Sequence, residues 1–199
     1  MTPRAMMRQR GVSLLEIVVV LAIVGVFVTI SSFAMQSMRR RSGLRTAAGG
    51  VRTLLMKTSS SSVTRSTHRG VRFFNIGDQW FYSIYEDGNG NGIYSEEIKR
   101  GIDKLVEGPR PLFEPGSAQV GFPPSGIVDP DTNRPVPPGT RPVQFGQSNL
   151  CSFSYYGACT PGTIYLTDGV SAGAMVRCSG AGGRIRIRFY GLNGKRWSN

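Results

Sequence analysis

Residues Gly11 to Ile30, GVSLLEIVVVLAIVGVFVTI, constrain this chain more than any other stretch. They follow a basic patch, Arg4, Arg8 and Arg10, and carry one charge, Glu16. From Ile17 to Met38 there is no charged residue. At about 1.5 Å of rise per residue, roughly 20 such residues cross the hydrocarbon of a bilayer. The segment therefore reads as a membrane-spanning helix. Glu16 needs a reason, because a carboxylate in such a helix costs about 3 kcal/mol at mid-bilayer and less toward the interface. The helix N-terminus favours an anion and offsets part of that. A cut after Gly11 would add a cation, since the new α-amino group of Val12 lies about one helical turn from Glu16, in this chain or a packed neighbour.

Two plainer readings compete. A secretory signal peptide has an apolar core of about 7–15 residues that ends in small residues, and Ser32-Phe33-Ala34 would serve as its cleavage site. The run here is longer and holds an out-of-place glutamate. A plain single-pass anchor is the other reading. Arg39, Arg40 and Arg41 rival the three leading arginines, so charge asymmetry leaves the orientation open.

The basic leader, Gly11, Val12-Ser-Leu-Leu-Glu16 and the apolar helix resemble the signal of type IV prepilins and type II secretion pseudopilins. The resemblance implies that a prepilin peptidase cuts between Gly11 and Val12 and methylates Val12. It implies that Glu16 pairs with a neighbour's amino group during filament assembly. It also implies residence in the inner membrane among lipid, with a periplasmic domain, before extrusion by an assembly platform into a filament of major and minor subunits. One departure is visible: the family usually places Phe where this chain has Val12.

The 199 residues leave enough chain beyond the helix for one soluble domain. The net charge is +12, and removing the three arginines of residues 1–11 lowers it to +9. Such an excess suits an anionic partner, whether nucleic acid, lipid headgroups or an acidic protein face, or serves solubility. The chain reads as a leader, 1–11; a membrane and filament-core helix, 12–38; its amphipathic continuation, 39–62; and a β-rich domain, 63–199. In the continuation Leu44, Val51, Leu54 and Leu55 recur at helical spacing while Arg45, Arg52 and Lys57 face out. Gly43, Gly49 and Gly50 weaken it by about 1 kcal/mol each, which suggests a bend. The Ser/Thr run from Thr58 to Ser62 is expected to end it.

Strands are expected at Gly70–Ile76 and Gln79–Tyr85, with Gly101–Val106 pairing back onto them. Asn91-Gly92 is a hairpin signal. Ten of the twelve prolines fall between Pro109 and Pro142, so 107–146 reads as a long surface loop whose Phe113, Val120, Phe122 and Val128 reach the core. Strands return at 163–167, 174–178 and 184–189. The expected class is α+β, a long N-terminal helix packed on antiparallel sheets.

Gly162 to Gly169, Ala174 to Arg177 and Gly183 to Ile187, with the loop Asp87 to Glu97, resemble the GspH/FimT family of minor pseudopilins and minor pilins. The proline-rich stretch does not match that pattern. Arg184, Arg186 and Arg188 alternate with Ile185, Ile187 and Phe189, which puts the arginines on one face of a strand. Phosphates along DNA suit such a row, and Arg177, Lys195 and Arg196 would extend it. The family's Gly-Arg-x-Arg motif, linked to DNA binding in DNA-uptake pilins, falls on Gly183, Arg184 and Arg186. The alternative is a solvated edge strand whose charges resist aggregation.

Asp87, Asn89 and Asn91 with Gly92 follow the start of a calcium loop, but Ile98 holds the position of the bidentate glutamate, and a hairpin explains the loop as well. Cys151 and Cys159 bracket a short loop and are the expected disulfide, leaving Cys178 free; connectivity is not fixed by sequence. No zinc spacing is present. With one histidine, His68, and no P-loop, neither an enzyme nor a cofactor is expected.

Overall fold

The computed structural model describes residues 14–114, 116–191 and 194–198. It forms two compact units that part between Arg39 and Arg40. One helix, α1, runs from Leu14 to Thr64. In the first unit its large apolar side chains are exposed on every side, and even Val19 is 48% exposed. A helix apolar all round has its natural surroundings in lipid or among other helices.

The second unit is built around the rest of α1. Leu44, Ala48, Val51, Leu55, Thr58 and Ser62 are buried, three or four residues apart, as one stripe that buried Ala47 widens. Leu54 packs at its margin. The helix does not end at the serine run. Thr58 Oγ1 donates to Leu54 O at 3.0 Å, Ser62 Oγ to Ser59 O at 2.7 Å and Thr64 Oγ1 to Ser60 O at 2.9 Å. These hydroxyls bond backward along the helix, so they do not compete with it. The helix also runs on unbroken through Gly43. A Cβ there would stand 2.5 Å from Ser117 O, so glycine is what lets the loop press against the helix.

Among the described residues nine strands form two antiparallel sheets. The first, in the order β3-β2-β1-β5, comprises β1 (Arg69–Ile76), β2 (Gln79–Glu86), β3 (Lys104–Pro111) and β5 (Leu150–Phe153). The second, β4-β6-β7-β8-β9, comprises β4 (Gln119–Val120), β6 (Gly162–Thr167), β7 (Gly173–Ser179), β8 (Arg184–Gly191) and β9 (Gly194–Ser198). The architecture is the α+β arrangement that the sequence implies. Val71, Phe73, Cys151, Phe153, Ile164, Leu166, Val176 and Cys178 from the sheets share one core with α1. Buried Arg69 links the end of α1 to the first sheet: its guanidinium donates to Ser61 Oγ at 2.6 Å and to Glu86 Oε2.

Two expectations are corrected here. Asn91-Gly92 does not turn a hairpin. The β1–β2 turn lies at Gly77-Asp78, and the segment after β2 enters a short helix, α2 (Ser95–Arg100), before β3 pairs with β2. The proline-rich segment is more than a surface loop. It supplies β4 and fully buried Val143 and Phe145, and its Ile127 joins Tyr165, Met175 and Tyr190 in a second apolar cluster on the outer face of the second sheet. Trp197 Nε1 donates to Val128 O at 2.6 Å and pins the segment there.

Candidate functional site

Glu16 stands in the first turn of α1, the one acid of an apolar helix surface. Gly11 and Val12, the expected cleavage and methylation positions, lie outside the described residues. Among the described residues no ion pair engages Glu16, and no residue of the apolar window is buried. Whatever covers this segment comes from outside the described unit.

The arginine strand is β8. Val176 faces Ile187 and Cys178 faces Ile185 across the β7–β8 register, which turns these side chains toward the core with Phe189. Alternation then sends Arg184, Arg186 and Arg188 to the outer face. Arg184 and Arg186 are exposed and Arg188 half-buried. Among the described residues no ion pair engages any of the three. The strand start is fixed by Gly183: its φ is +55°, and a Cβ would lie 2.3 Å from Gly157 O. The glycine of the motif thus has a structural role of its own.

Of the expected extensions, Arg177 and Arg196 do not join the row. Arg177 sits opposite Arg186, but its guanidinium pairs with Asp131 of the proline-rich segment, and its Nε donates to Thr163 Oγ1 at 3.0 Å. Arg196 precedes Trp197, which faces Tyr190 on the outer side; alternation puts Arg196 on the other side. The Lys195 side chain lies outside the described residues. One feature has no signal in the sequence. The rings of His68 and Tyr155 lie 5.1 Å apart, and those of Tyr155 and Tyr156 also 5.1 Å. The tyrosines are exposed and His68 is half-buried, and the cluster borders Gly157, and so the start of β8. The sequence separation of His68 from the tyrosines conceals it.

The loop after β2 is organised by its own backbone. Asp87 Oδ1 accepts from the amides of Asn89 at 2.9 Å and Gly90 at 2.8 Å, and Oδ2 from Gly92 at 2.6 Å. Burial pushes the Asp87 pKa up, yet these amides outweigh it and hold the carboxyl below its ordinary value. Asn89 and Asn91 donate their side-chain amides to Glu97 Oε1, at 3.1 and 2.8 Å. Among the described residues, no group of three or more His, Cys, Asp or Glu side chains is placed to hold a metal ion.

The three cysteines converge in the core as free thiols. The chain from β5 doubles back so that Phe153 bridges Cys159. Cys151 is then a diagonal neighbour of Cys159, at roughly 7–8 Å between backbones, whereas a disulfide needs Cβ atoms about 4 Å apart. The sulfur beside Cys151 is that of Cys178, at 3.8 Å. The expected Cys151–Cys159 bond is not made in this arrangement.

Gly169-Val-Ser-Ala-Gly173 also spells Gly-x-Ser-x-Gly, a pattern the sequence reading missed. It forms the β6–β7 turn, where Asp168 Oδ1 accepts the amides of Val170, Ser171 and Ala172, each at 2.9 Å. A serine nucleophile of that type stands between a strand and a helix, and here both flanks are strands.

Residues 6–32 match the prokaryotic N-terminal methylation motif. The motif indicates a type IV pilin-like or pseudopilin subunit. It implies processing by prepilin peptidase and assembly with other pilins, and with the apolar helix it fits membrane anchoring. The matched residues include Gly11, Val12 and Glu16 and end before the globular unit. No curated protein and no solved structure matches the chain.

Proposed function

We propose that this chain is a minor pseudopilin or minor pilin of the GspH/FimT kind, serving a type II secretion system or a type IV pilus. One observation carries the reading: a helix apolar on every side whose single acid stands five residues beyond Gly11. The chain waits in the inner membrane with its domain in the periplasm. Prepilin peptidase removes residues 1–11 and methylates Val12. The assembly platform then lifts the subunit, and the Val12 amino group of one subunit pairs with Glu16 of another as their helices pack, at or near the filament tip. The cation neutralises a carboxylate that is costly among apolar helices, so correct register is favoured and wrong register penalised. The work is mechanical and needs no catalytic residue. The mass of the N-terminal peptide from membrane-extracted protein tests this. A peptide that begins at methylated Val12 is expected. A start after Ala34 would make residues 1–34 a conventional signal peptide and end the filament reading.

A second reading is favoured by the unpaired row Arg184, Arg186 and Arg188, that of a DNA-binding minor pilin used in DNA uptake. Alternate residues of a strand stand about 6.8 Å apart on one face, so the three arginines present a row of positive charge to a phosphate backbone. Gel shifts at low salt test it. Arg184→Ala with Arg186→Ala is expected to weaken binding and flatten its salt dependence by about two counterions. Unchanged shifts would leave the row as a solvated face.

A further inference from the structure

We propose that Cys151 and Cys178 form a disulfide that staples the two sheets of the globular unit, with Cys159 left as a free thiol beside it. The inference rests on the periplasmic placement proposed above, because cysteines pair stably in an oxidising space. Cys151 belongs to β5 of the first sheet and Cys178 to β7 of the second. Backbone hydrogen bonds hold each in register, Cys151 opposite Val71 and Cys178 opposite both Gly162 and Ile185. Their sulfurs are in contact at 3.8 Å, and the two residues are 0% and 2% exposed. A bond needs a further approach of about 2 Å. Cys159 is the competitor. It lies near Cys178, but its thiol faces the Ser179 carbonyl at 3.5 Å, and the hairpin register separates it from Cys151.

The bond forms by exchange with the disulfide of an exported thiol oxidoreductase. The thiolate of one cysteine attacks a sulfur of that disulfide and expels the other as a thiolate. The second cysteine's thiolate then attacks the chain's sulfur in the mixed disulfide and releases the oxidoreductase as a dithiol. Two electrons and two protons pass to it, and the chain keeps one S–S bond. Timing follows from the surroundings. Contact with Cys151 raises the Cys178 thiol, contact with Cys159 lowers it, and burial raises it again, which leaves it well above its ordinary pKa; contact with Cys178, and then burial, raises Cys159. Protonated thiols are poor nucleophiles. Exchange therefore happens while the chain is folding, and the folded reduced protein resists oxidation.

Two samples of the full chain in detergent test this: one refolded from denaturant in a glutathione redox buffer, and one extracted from membranes under alkylating conditions. Trypsin cuts at Arg177 and Arg184, and chymotrypsin at Phe153, Tyr155 and Tyr156, so all three cysteines fall on separate peptides. The expected product in the refolded sample joins the Cys151 and Cys178 peptides, with Cys159 alkylated. Cys159→Ser keeps that link, and reduction lowers the melting midpoint of this variant by about 10 °C. A link through Cys159, or three alkylated cysteines after refolding, overturns the proposal. The extracted sample reports the compartment: three free thiols there, with the link formed on refolding, count against periplasmic placement and leave the pairing standing.

Discussion

The two parts of α1 draw on the same apolar residues to opposite effect. Among the described residues before Arg39, leucine, isoleucine and valine occupy every side of the helix and none is buried. After Arg40 they keep to one stripe, and Leu44, Val51 and Leu55 vanish into the core. The density of apolar residues is higher in the part that has no core. Density marks what surrounds a helix, lipid or other helices, whereas periodicity marks what it folds against. A single chain can therefore carry one segment stabilised by its own sheets and another stabilised only by a bilayer or a filament.

The contrast breaks most sharply at Glu16. Glu16→Ala is expected to abolish filament incorporation and to leave the melting curve of the globular unit unchanged. Co-purification of the variant with assembled filaments, beside calorimetry, reads both; normal incorporation would remove Glu16 from the assembly step. Leu55→Ala tests the opposite part and should destabilise the globular unit by about 2–5 kcal/mol, with membrane insertion intact. Chemical denaturation measures it, and Leu21→Ala is the control, with no effect expected on that unit.

Glycine substitutions sharpen the same division inside the second part. Gly43→Ala forces a Cβ against the Ser117 carbonyl and should cost about 1–3 kcal/mol. Gly50→Ala meets no atom within 4 Å and should stabilise by about 1 kcal/mol through helix propensity alone. Equal effects would mean that the helix does not press on this loop.

The smallest effect is acid sensitivity, confined to the globular unit. Asp87 and Asp129 are both held below the ordinary carboxylate range, since backbone amides outweigh the upward push of burial. Their folded pKa values lie below the unfolded ones. The stability they add is complete above about pH 4 and is lost as the pH falls through the folded values. Asp87→Asn should flatten the stability profile below pH 4 in an acid titration followed by circular dichroism, and an unchanged profile would release Asp87 from this role.

Some of this molecule was legible residue by residue. The alternation of β8 put Arg184, Arg186 and Arg188 on one face because a strand repeats every two residues, whatever it packs on. Leu44, Val51 and Leu55 were legible for the equivalent helical reason. The serine run was misread, because a hydroxyl either competes with a helix or bonds back along it, and the choice depends on packing that buries Thr58 and Ser62. The proline-rich segment was read as surface because composition describes its backbone and not its neighbours, Tyr165 and Trp197.

The sequence by itself determined the apolar helix with its lone Glu16 and the α+β class, and its resemblance to prepilin signals pointed to Gly11 and Val12. The helix and the class depend on composition and spacing within a few turns or one strand. Only the tertiary structure decided which sulfur Cys151 meets, which arginine keeps its charge free once Asp131 has taken Arg177, and why Gly43 and Gly183 are glycine. Those outcomes depend on how two sheets and a long segment close on each other, and contacts between residues far apart in sequence leave no periodic trace in the chain.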